Sequence, residues 1–169
     1  DKTTKGWFSD LISVAIVAAA TIASFILFRL LARIIFRSTN QFALREHNTH
    51  ALVIKVTAVI IATVVDVAVV AFAWLAGYGV ALLGVGKMGE IAVSETLFLN
   101  IFLAVELTKV VIRAIFASRN EGLRLLSLSS ETARYWSSFF STIVSLVGYG
   151  TLFIVPFLAM SISESLSQL

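Results

Sequence analysis

Cysteine is absent from the 169 residues and proline occurs once, at Pro156. The first absence excludes disulfides and thiolate metal sites, and the second leaves the apolar runs almost unbroken. Charge is also scarce, at 14% of residues against 59% hydrophobic, with a mean hydropathy of +0.96. That is too little polar surface to clothe a soluble globule of this length. Barrel strands would need segments of about ten residues that alternate in polarity, and no such alternation is present. Helices, which satisfy their own backbone groups in lipid, are the spanning form that remains. The composition predicts an all-α, polytopic membrane protein.

The positive charge is distributed unevenly. Arg29, Arg33, Arg37, Arg45 and Lys55 fall in one stretch, Lys109, Arg113, Arg119, Arg124 and Arg134 in a second, and Lys2, Lys5 and Lys87 lie elsewhere. Basic residues beside membrane spans stay cytoplasmic, so the two rich stretches face inward and the chain crosses four times with both termini outside. A sequence pI near 9.5 raises the question of nucleic acid. The basic residues sit at span ends rather than on one clustered face, so the partners expected are anionic lipid headgroups and no nucleic acid. Residues 1–10 lack the order of a signal peptide and no methionine opens the chain, which reads as a mature form or a piece of a longer protein.

The expected organisation is two helical hairpins. An outer segment 1–10 precedes a first transmembrane hairpin over 11–76, a glycine-rich outer loop over 77–90, a second hairpin over 91–161 and an outer tail over 162–169. The spans are expected at about 11–36, 51–76, 91–116 and 130–161, joined inside by a polar loop over 38–50 and a basic loop over 117–129. Twenty-six residues give about 39 Å of helix against a hydrocarbon core of about 30 Å, so the first span must tilt or protrude. Residues 32–40 and 112–120 match in arginine, isoleucine, phenylalanine, serine and asparagine at an offset of 80, which suggests two copies of one hairpin. Ser130 is the expected helix cap before Glu131, Trp74 and Tyr78 the expected outer anchors, Tyr135 and Trp136 the inner ones, and Gly148 with Gly150 a thin spot for close packing or bending.

Ionisable groups inside a bilayer are where chemistry would be sought, because each costs about 2.5 to 3.5 kcal/mol there. Asp66 lies 11 residues beyond Lys55, about 16 Å along a helix, which places it near the midplane. It could relay a proton or cation, form a tension-sensitive pair with Arg29 or Lys109 on a neighbouring helix, or fix helix packing. Glu106 and Lys109 are spaced to pair on one helix face. Arg29, Arg33 and Arg37 recur every four residues and share a face, so their stems would lie among acyl chains with the guanidinium groups at phosphate depth. Together with Lys109 and Arg113 they form the expected lipid-anchoring set.

Other patterns fail as sites. The glycines of 77–89 do not have the spacing of a phosphate loop, since Met88 follows Lys87 where serine or threonine is needed. His47 and His50 with Glu46 lack a further ligand, so no metal is expected. No nucleophile, base and orienting group cluster, so neither catalysis nor a cofactor is expected. The small residues Ala15, Ala19 and Ala23, with Ala20 and Ser24 beside them, and Ser137, Ser138, Ser141 and Ser145 offer surfaces for close helix approach.

The segment 113–134, which includes Arg124-Leu125-Leu126-Ser127-Leu128, resembles the cytoplasmic elbow between peripheral helices in larger multi-helix members of the bacterial small-conductance mechanosensitive channel (MscS) family, the YbiO-like ones among them. Ser127 stands where that pattern has proline. The resemblance implies a homoheptameric inner-membrane channel whose pore helix and soluble vestibule are not in this sequence, so that permeant ions pass elsewhere. The chain would then be the lipid-facing, tension-sensing periphery of each subunit, opening the channel under stretch during hypo-osmotic shock. The alternatives are a small proton- or cation-coupled transporter using Asp66 and Glu106, and a structural accessory subunit.

Overall fold

The structure, a computed structural model, describes residues 2–45, 51–84, 91–116 and 129–167, with side chains over 11–33, most of 53–83, 91–116 and most of 129–152. The described residues form four helices, α1 (Lys2–Arg45), α2 (Ala51–Gly84), α3 (Val93–Phe116) and α4 (Ser130–Ser167). The all-α expectation therefore holds. Two stretches are long and apolar enough to cross a membrane, Leu11–Arg33 in α1 and Val59–Leu83 in α2.

Consecutive helices run antiparallel. Phe28 meets Phe72 at a ring separation of 5.7 Å, while Thr21 lies against Gly77, so α1 descends as α2 climbs. Leu99 also lies against Gly77 and Arg113 reaches Asp66, which sets α3 opposite α2. Val105 abuts Gly148 and Phe116 stacks on Phe140 at 5.9 Å, fixing α4 on α3. α3 is the hub, touching each of the other three.

The core lies where the first three helices converge. Val17, Val70, Ala73, Ala81, Phe98, Leu99, Phe102 and Val110 are buried in one cluster, and Phe25 meets Phe102 edge-on at 5.8 Å. Gly77 makes that convergence possible: a Cβ there would run into the Thr21 hydroxyl and the Leu99 side chain. Glycine in a helix interior is disfavoured by about 1 kcal/mol relative to alanine, but here it lets three backbones approach.

Helix ends differ from the sequence expectations in instructive ways. The outer loop expected from residue 77 is helical as far as Gly84, and the inner loop expected from residue 38 is helical as far as Arg45. Neither stretch contains proline, and Gly77 serves packing rather than a turn. α4 likewise continues through Pro156 to Ser167. Its cap is Ser129 rather than Ser130, the Thr132 amide donating to the Ser129 hydroxyl at 3.3 Å. At the start of α3 the Glu95 carboxylate accepts the Ala92 amide at 3.3 Å, the return half of a capping box.

The small-residue ridge of α1 faces outward, since Ala15, Ala19 and Ala23 are all exposed while Val17 and Thr21 take the buried face. On α4, Ser137 is buried, Ser141 and Ser145 are half-buried and Ser138 is exposed. Gly148 is a thin spot as expected, with no room for a Cβ beside Val105, whereas Gly150 faces open space.

Candidate functional site

Charged side chains on α3 define the site. A helix places residues three, four and seven apart along one flank, so Glu106, Lys109 and Arg113 are neighbours on it. Lys109 donates to Glu106 at 2.7 Å, the pairing their spacing predicts, with the glutamate side chain 7% exposed. Tyr149 of α4 lies beside this group, with the Lys109 ammonium 5.8 Å from its ring centroid. Burying an unpaired carboxylate would be costly, and here Lys109 serves it.

Arg113 turns the other way, toward α2. Its Nε donates to Asp66 Oδ2 at 3.1 Å, the two side chains being 17% and 12% exposed. Arg113 is a partner that the sequence reading of Asp66, with its Arg29 or Lys109, did not name. Asp66 makes a further interaction besides, and Arg29 is engaged as well, its guanidinium also lying 5.7 Å from the Phe25 ring.

The helix register sets Asp66 against its neighbours. It lies opposite Arg113, which is three residues from the end of α3, and the α1–α2 contacts bring it level with Arg33 at the end of the apolar stretch of α1. Arg33, Asp66 and Arg113 thus occupy one level across three helices, seven residues inside the apolar stretch of α2.

The residues expected to grip lipid divide by environment. Arg33 is exposed, Arg29 is half-buried, and Lys109 and Arg113 direct their charge to carboxylates within the bundle. The side chains of Arg37 and Lys55 lie outside the described residues, as do Glu46, His47, His50, Lys87 and residues 117–128 of the basic elbow. Trp74 and Tyr78 meet edge-on at 4.7 Å and pack against the core, while Tyr135 and Trp136 are exposed beside Phe139 and Phe140 in an aromatic cluster. No group of three or more potential metal ligands occurs among the described residues.

Gly77, Thr21 and Tyr149 carry weight that the sequence did not reveal. Gly77 sits among other glycines and reads as a turn. The only signal for a packing role is its apolar surroundings, Leu75, Ala76 and Tyr78, which continue the helix on either side.

No protein-family model matches the chain, and no solved structure does. Among curated proteins, the moderate conductance mechanosensitive channel YbiO of Escherichia coli (strain K12) is 32% identical over 145 residues. The match covers 85% of this chain and 19% of that protein, so the chain spans about a fifth of the relative's length. With two apolar helices and a channel homologue, membrane association follows. Homology to YbiO over most of the sequence thus bears out the resemblance to the YbiO-like members of the MscS family.

Proposed function

We propose that this chain is the peripheral, tension-sensing transmembrane region of a mechanosensitive ion channel that opens under membrane stretch during hypo-osmotic shock. The observation that carries the reading is the 32% identity to YbiO over 85% of the chain. In this reading all four helices cross the bacterial inner membrane as two hairpins, with the basic elbows in the cytoplasm and the pore in a part of the subunit that this sequence does not include. The partners are membrane lipids and further copies of the subunit, a heptamer by family resemblance, and the role is not enzymatic.

The physics suits the role. Tension favours whichever state occupies more area in the membrane plane, so a sensor needs helices whose lean is coupled to bilayer shape. At 44, 34 and 38 residues, α1, α2 and α4 run about 66, 51 and 57 Å, all longer than the hydrocarbon is thick. Such helices tilt, and tilt changes as the bilayer thins. Arg33, exposed at the end of the apolar stretch of α1, and Arg37 one turn further on provide the lipid grip. Lys109 and Arg113 act on that grip from within the bundle.

The transporter alternative loses ground, because both carboxylates it requires, Asp66 and Glu106, are engaged by cations. The test is pressure-clamp recording from patches containing the intact channel. Neutralising Arg33 and Arg37 together to glutamine is expected to shift the opening tension with single-channel conductance unchanged. An unchanged threshold counts against the lipid-grip mechanism, and absence of stretch-activated current from the intact protein counts against the channel reading.

A further inference from the structure

The first and second hairpins meet along α2 and α3, and that seam is fastened at two unlike points. Near one end, Gly77 is packed against Thr21 and Leu99 so tightly that a single added carbon has no room. Eleven residues away, about 16 Å along α2, the seam is held by the Asp66–Arg113 pair at 3.1 Å. Close van der Waals packing has one arrangement and resists sliding. An ion pair between a long arginine and a short aspartate is different: it is strong in a water-poor setting, but breaks over a few ångströms and is replaced by water or lipid phosphate once separated.

We infer that the seam is a pivot and latch: the second hairpin swings about Gly77, and the Asp66–Arg113 pair holds the closed arrangement until tension parts it. This deepens the tension-sensing reading and rests on it. With an arm of about 16 Å, parting the pair by about 4 Å takes a rotation of only about 15°. The pair lies level with Arg33, so the inner-leaflet contact of the first hairpin and the latch act at the same depth. α4 follows α3 in the swing because Gly148 seats it against Val105.

The absence of cysteine makes the movement measurable, since introduced thiols in this chain are unique. In the intact channel in liposomes, spin labels at Val64→Cys and Ile115→Cys, both exposed and flanking the latch, report its opening. Labels at Leu75→Cys and Asn100→Cys, exposed near the pivot, serve as the reference. Lateral tension is expected to lengthen the first distance by about 4 Å within a subunit and leave the second unchanged. In patches, Asp66→Asn and Arg113→Gln are each expected to lower the opening tension, with the double substitution no lower than either single one.

A channel that opens under tension with both label distances constant overturns the latch and leaves the tension-sensing reading standing. Additive shifts from the two substitutions do the same. If tension evokes no current at all, the reading falls and takes the latch with it.

Discussion

The two helix pairs carry their polar groups differently. In the first, the buried residues of α1 and α2 are apolar apart from Thr21, with Asp66 and Arg29 half-buried, and close approach depends on small residues such as Gly77 and Ala73. In the second, every stretch of α3 long enough to cross hydrocarbon holds at least three of Glu95, Glu106, Lys109 and Arg113. That is why α1 and α2 qualify as spans by composition and α3 does not. Its charges are nonetheless engaged: Glu95 caps its own helix, Glu106 pairs with Lys109, and Arg113 with Asp66. The lesson is that a helix rich in ionisable groups has them served by partners, most of them local, while the Arg113–Asp66 pair ties the two hairpins together.

This contrast is broken most sharply at Arg113. Replacing it with leucine removes the α3 partner of Asp66 and is expected to destabilise the bundle by about 3 kcal/mol, read by reversible unfolding in bicelles. The additional change Asp66→Leu should recover much of that loss; two losses that simply add would show the pair to be immaterial. A smaller effect is expected in the first hairpin, where Gly77→Val overfills the three-helix junction for about 2 kcal/mol, partly relieved by Leu99→Ala. The smallest effect has the opposite sign. Gly79 faces open space, so Gly79→Ala should stabilise α2 by about 0.5 to 1 kcal/mol, and a loss instead would mean that this face is covered in the assembly.

Much of this was legible in the sequence. Helical spans follow from composition, and the Glu106–Lys109 pair from a spacing of three, because both depend on local geometry alone. Gly148 was legible for the same reason, as a small residue inside an apolar run. The Asp66–Arg113 pair was not, since it joins residues 47 apart and depends on the offset between helices of unequal length. Gly77 misled because glycine marks turns and close helix contacts alike, and only its neighbours across the bundle distinguish the two. The spacing of the alanine ridge permits packing, and within this one chain the helices bury Val17 and Thr21 and leave Ala15, Ala19 and Ala23 exposed.

The most direct test removes the four helices from the intact channel and leaves the remainder of the subunit in place. Pressure-clamp recording should then show a pore of unchanged single-channel conductance that opens at a different tension. An unchanged opening tension, or a changed conductance, would contradict a peripheral tension-sensing role for this chain.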